Sequence, residues 1–223
     1  TYDLVLIDCI WPAEYASAGF VKDVTDRITP EMIADIWPAV LEAVTWKGRI
    51  YGMPWLNDIL YFFYNEKMLK DAGFSGPPAT WSELIQQSKR LKAAGIVEYP
   101  MIDTWQQFEG LTISYLNYLF AFGGKAFDEE LNPLFNKGKG LEALKFMMDN
   151  LKVGIFNPAS FETYYDEIRL IFSQGKAAYG MNWAYMWQFV NDPKESRYSS
   201  ITSLIFTYFS FSKEANSILK TLR

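Results

Sequence analysis

The chain has 223 residues, 50% hydrophobic and 21% charged, with a formal net charge of −5, a size that suits one sizeable domain or two small lobes. Nucleic acid and anionic membrane surfaces are excluded as partners, because both need clustered Lys and Arg and no such cluster is present. The absence of histidine and the single cysteine exclude Ser-His-Asp, Cys-His and His-metal mechanisms, an intrachain disulfide and a cysteine-rich zinc site, so no cofactor or metal is expected.

Residues 2–7 (YDLVLI) are a short, apolar, β-favouring run ending at Asp8, the pattern of a buried parallel strand. Cys9, just after it, reads as a small buried hydrophobe. Trp11-Pro12 opens a helix over 13–18 that Gly19 ends. Residues 30–44 carry apolar positions at helical spacing and are expected as one helix. Lys47-Gly48-Arg49 is a hairpin-like turn feeding 50–53. The run 59–64 (ILYFFY) is far too short for a membrane span and reads as a buried strand. A helix over 66–72 stops at Gly73. Thr80 has the position of an N-cap, with Glu83 as its capping-box partner, for a helix reaching about Ala94 and ending at Gly95.

Further on, 107–122 is an aromatic-rich helix closed by Gly123-Gly124, and 140–151 is amphipathic. Residues 164–174 form another helix, ending at Gly175. A strand over 177–181 leads into Asn182-Trp183, and a helix over 185–191 follows. Residues 201–211 are β-rich and 215–222 a short helix. Strands alternating with helices, without an internal repeat, define an α/β class.

Aromatic residues reach 17%, with eight Trp and fourteen Tyr. A rich core absorbs most of the Phe. Trp and Tyr pair a flat apolar face with a polar edge, which matches a sugar ring with its C–H face and its rim of hydroxyls.

Four segments carry a family resemblance: YDLVLIDCIW; AVTWKGRIYGMPWLNDILYFFYNEKMLKDAGF followed by PPATWSELIQQSKRL; QQFEGL with the aromatic helix behind it; and FSQGKAAYGMNWAYMW. In this order, across about residues 2–195, they resemble the family-one extracellular solute-binding proteins of ABC transporters, particularly the maltose and trehalose branch. The resemblance implies the periplasmic-binding-protein-like type II α/β fold, two α/β lobes joined by crossing strands. It assigns 1–58 to part of the first lobe, 59–64 to a crossing strand and hinge, 65–198 to the second lobe, and 199–223 to a return strand and helix. Family members are usually close to twice this length, so a fragment or shortened chain with an incomplete first lobe is expected.

The implied function is reversible capture of a carbohydrate such as maltose or trehalose in an interlobe cleft, without chemistry, and delivery to the membrane subunits of an ABC importer. The protein is expected to be a monomer, periplasmic or extracellular, with a lipid anchor at the cell surface as one possible arrangement. The candidate ligand-binding residues are Asp8, Trp11, Trp55, Asp58, Gln107, Glu109, Trp183 and Tyr185. Several have competing structural readings. Asp8 and Asp58 also suit turns, Trp55 and Trp183 also suit a core, and Gln107 and Glu109 also suit a helix start, where an acidic group favours the dipole. Trp187 is expected to pack inward, while Tyr164 and Asp166 are further candidates for the cleft. Two rivals stand beside this reading. One is a carboxylate-based glycoside hydrolase using Asp8, Asp58 or Glu109. The other is a receptor for a non-sugar solute, including a cation in an aromatic cage.

Overall fold

The computed structural model describes residues 2–56 and 58–199, and the backbone of 202–206. The chain divides into two units, Thr1–Asp58 and Ile59–Arg223.

The smaller unit contains α1 (Pro12–Ser17), α2 (Pro30–Ile33), α3 (Pro38–Ala43) and a minimal hairpin of β1 (Thr45–Trp46) and β2 (Arg49–Ile50). The hairpin turn has positive φ at both central residues, Lys47 at 49° and Gly48 at 73°, the twist that two-residue loops demand. The Val24 N–H donates to the Ile50 carbonyl at 2.8 Å, and Arg49 pairs with Asp23 and Asp26. The segment before α2 is thereby attached to the hairpin.

Three expectations fail in this unit. Residues 2–7 form no strand: Leu4 is 92% and Leu6 75% exposed, and no strand among the described residues offers them a ladder. Cys9 is exposed for the same reason. The helix expected over 30–44 is broken. Pro38 lacks an N–H and forces Trp37 out of the helical region, to ψ 136°, so a second helix starts there.

The larger unit is organised by β3 (Leu60–Asn65). Leu60, Phe62 and Tyr64 pack into one core, and Tyr61 and Phe63 into the core on the opposite face, the period of a strand buried on both sides. β3 pairs antiparallel with β5 (Tyr179–Trp183) and with β6 (Thr202–Phe206), while β4 (Met101–Ile102) runs parallel to β5. The strand order is β4-β5-β3-β6. β4 is too short to be legible in the sequence.

The larger core holds residues of α4 (Glu66–Asp71), α5 (Trp81–Ala93), α6 (Glu109–Ala121) and α7 (Lys139–Lys152). Fully buried Trp81, Tyr118 and Phe156 anchor it. The smaller core packs α8 (Tyr165–Ser173) and α9 (Met186–Val190) through Ile168, Phe172, Met186 and Val190. α5 begins as expected: Thr80 Oγ1 accepts the Glu83 N–H at 3.1 Å, although the Glu83 carboxylate accepts from Ala79 rather than from Thr80. Trp187 corrects another expectation. Met186 and Val190 occupy the inward positions of α9, so Trp187 faces out, 42% exposed. No described helix is long and apolar enough to cross a membrane. The helix expected over 215–222 lies outside the described residues.

Candidate functional site

In the larger unit the end of β5 and the first turns of α6, α8 and α9 bring a group of aromatic and polar side chains together. Trp183 is the last residue of β5 and is half-buried, its ring edge-on to Tyr165 with centroids 5.6 Å apart. Tyr165 opens α8, and its ring also meets Phe108 edge-on at 6.0 Å. Phe108 in turn leans on Tyr164 at 4.3 Å. Four rings from three chain segments therefore form one contiguous aromatic surface.

Polar groups border that surface. The Tyr185 hydroxyl donates to Asp166 Oδ1 at 3.1 Å, and Arg169 approaches the same oxygen at 3.4 Å. Arg169 also lies 4.5 Å over the Phe189 ring, which meets Tyr185 edge-on at 6.2 Å. Burial, reinforced by the Asp166 carboxylate, pushes the Tyr185 pKa up to about 12, so this phenol is a proton donor at any physiological pH.

Tyr165 is likewise pushed up to about 12, by burial first and then by the fields of Asp103, Glu109 and Tyr185. The nearby Trp183 indole opposes this shift. Among the described residues, the Tyr165 hydroxyl and Gln106 Oε1 are buried atoms that meet no hydrogen-bond partner. Buried polar atoms are normally paired, so each is a group able to take a ligand or a water. Glu109 is the first residue of α6, and it and Gln107 are exposed.

Trp183, Tyr185 and Glu109 are thus gathered around Tyr165, with Tyr164 and Asp166 on the same border. Gln107 neighbours Phe108 in the chain, yet among the described residues no hydrogen bond or ring contact ties it to the aromatic surface. Sequence reasoning passed over Tyr165 and Phe108 in favour of Tyr164. The spacing of Tyr165, Ile168 and Phe172 was the available signal: these positions share one helical face, and all three pack on the smaller core.

Asp8, Trp11, Trp55 and Asp58 belong to the smaller unit. Asp8 is half-buried; its Oδ1 accepts the Ile10 N–H at 3.4 Å and its carbonyl the Trp11 N–H at 3.0 Å. It therefore shapes a turn rather than following a strand. Trp11 stacks on Tyr15 at 5.8 Å with 12° between the planes. Trp55 is 80% exposed and lines a shallow depression with Asp35, Trp37 and Val40. Asp58 is exposed. Among the described residues no group of three or more acidic or cysteine side chains is placed to hold a metal ion.

A model of the family described as bacterial extracellular solute-binding protein matches residues 1–205. The chain belongs to this family. A solute-binding protein of known structure, the maltose-bound MalE3 of T. maritima, superimposes with a TM-score of 0.84 at 28% identity, covering 92% of this chain and 52% of that one. The fold is accordingly the periplasmic-binding-protein-like α/β fold. A probable ABC transporter-binding protein of Deinococcus radiodurans is 27% identical over 83% of this chain and 44% of its own length. A mannitol-binding protein of Pseudomonas aeruginosa is 24% identical over 92% of this chain and 47% of its own. The chain spans about half the length of the relatives it matches.

Proposed function

We propose that this solute-binding protein recognises a carbohydrate, a di- or oligosaccharide of the maltose or trehalose type, with the Trp183 surface as its ring platform. It binds reversibly, as a monomer outside the cytoplasm, and hands the sugar to the membrane subunits of an ABC importer.

The observation that carries this reading is the half-exposed Trp183 beside two tyrosine hydroxyls, one of them buried and without a hydrogen-bond partner among the described residues. An apolar face of a sugar ring stacks on such an indole, while its hydroxyls find an acceptor at Tyr185, whose own proton goes to Asp166, a donor and acceptor at Tyr165, and carboxylate acceptors at Asp166 and Glu109. Asp8, Trp11, Trp55, Asp58 and Gln107 remain candidate contacts within the same reading. The maltose-bound and mannitol-binding relatives support a ligand rich in hydroxyl groups.

Titrating the chain with maltose, trehalose and mannitol, followed by tryptophan fluorescence and calorimetry, tests the proposal. Saturable binding of at least one sugar is expected, with no product formed from maltose or an aryl glycoside. Silence across the panel overturns sugar recognition by this chain, and turnover overturns the binding-only mechanism.

A further inference from the structure

We propose that Asp103 is a positioning residue for the ligand surface: through its side chain and backbone it ties the segment before α6 to the segment before α8, setting Phe108, Glu109, Tyr165 and Asp166 in one arrangement before a ligand arrives. The part of this proposal that concerns affinity rests on the sugar-binding reading above.

Asp103 follows β4 and is fully buried. Oδ1 accepts the Thr104 N–H at 2.8 Å and the Ser114 hydroxyl at 2.9 Å. Oδ2 accepts the Trp105 indole N–H at 3.1 Å and the Tyr118 hydroxyl at 2.7 Å. Ser114 and Tyr118 lie on α6, so the carboxylate holds that helix to the end of β4.

The backbone of the same short segment grips the residues that lead into α8. The Asp103 N–H donates to Ser160 Oγ at 3.3 Å, and the Asp103 carbonyl accepts the Thr163 hydroxyl at 3.0 Å. The Thr104 hydroxyl donates to the Thr163 carbonyl at 2.8 Å, and the Trp105 N–H to the Ser160 carbonyl at 2.7 Å. Thr163 is the residue before Tyr164. Two segments some sixty positions apart, each carrying part of the aromatic surface, are therefore joined at one buried residue, α6 through its carboxylate and the approach to α8 through its backbone and that of its neighbours.

A stability role alone does not call for this device. Burying a carboxylate without a cationic partner is costly, and well-packed apolar side chains often stabilise such a site as well or better. Four fixed donors around one planar group instead specify direction, and a binding surface needs that support from the residues behind it.

Asp103→Asn tests the assignment. The amide keeps the size and one acceptor, but it presents N–H to the Trp105 indole N–H, which cannot reverse its role. Ser114→Ala is the milder second variant, and Leu91→Ala, buried on α5 outside this bond network, is the control for lost stability alone. Amide hydrogen exchange across 104–110 and 163–167 is read beside calorimetric affinity for maltose.

In Asp103→Asn, exchange should rise in both segments together and affinity should fall about tenfold, equivalent to about 1.4 kcal/mol. Ser114→Ala should follow in the same sense, and Leu91→Ala should lower the melting temperature with neither change. Exchange that rises only around residue 103 with affinity intact overturns the proposal, as does Leu91→Ala reproducing both effects. If the unmodified chain binds no sugar, the sugar reading fails separately. The paired rise in exchange still supports the positioning role, and its absence still overturns it.

Discussion

The Asn182 side-chain amide donates to the Tyr165 carbonyl at 2.7 Å, while its Oδ1 accepts the Trp183 N–H at 2.8 Å. Asn182 is fully buried, so a single carboxamide binds the end of β5 to the first residue of α8 and sets the spacing between the two central rings of the surface. Asn182→Ala removes both bonds at once. Each such bond contributes about 0.5–1.5 kcal/mol net, so the variant should unfold at distinctly lower urea concentration. Its sugar-induced fluorescence change should also shrink, because Trp183 loses its fixed relation to Tyr165. Unchanged stability would show that water or another donor replaces the amide.

Trp183 itself is expected to behave differently. It is only half-buried, and among the described residues its ring contact is the edge-on approach to Tyr165. Trp183→Ala should abolish any response to sugar and leave the thermal melt nearly unchanged. A melt that collapses would assign the indole to the core and remove the platform from the proposed function.

Gly110 gives a test of the surface that touches none of the proposed polar contacts. A Cβ at this position would sit 2.4 Å from Phe108 Cζ and 2.8 Å from Cε1, so the ring folds over α6 only because residue 110 has no side chain. Gly110→Ala should improve the helix by roughly 0.5–1 kcal/mol of intrinsic propensity. It should also push the Phe108 ring off Tyr164 and Tyr165. The expected signature is a weaker affinity without lower stability, read by calorimetry and a thermal melt on the same sample. Unaltered affinity would show that Phe108 lies outside the binding surface.

The larger unit was legible in the sequence because its signals are local. The Thr80 cap, the Gly73, Gly95 and Gly175 stops and the ILYFFY run each act within a few residues, and each element formed close to its expected place. The smaller unit was less legible because its signals depend on distant partners. The YDLVLI run has strand chemistry, but a strand exists only where another strand pairs with it. Helical spacing over 30–44 was overruled by one proline. At the candidate site, Trp183 and Tyr185 were named from the family resemblance and their place after a strand. Tyr165 and Asp103 were not, since the importance of a buried hydroxyl without a partner, or of a carboxylate with four, appears only once long-range contacts are known.

The pH dependence of stability should separate two classes of carboxylate. Asp23 is held down at about 2, first by its hydrogen bonds to Thr25 and then by Arg49. A group depressed in the folded state contributes stability above its ordinary value of 3.8, and that contribution is lost as pH falls through about 2. Asp103 has the opposite sign. Burial raises it above 3.8 despite its four donors, so the folded chain binds the proton more tightly than the unfolded one. Its contribution is fully present below 3.8 and is lost as pH rises through the raised native value. Urea unfolding followed from neutral to acid pH should therefore show stability first rising as Asp103 takes up its proton, then falling as Asp23 is neutralised. Asp103→Asn should flatten the first limb and keep the second, whereas Asp23→Asn should weaken the second and keep the first. The comparison rests on slopes, because either substitution also shifts the whole curve. A first limb that persists in Asp103→Asn would place its proton on another group.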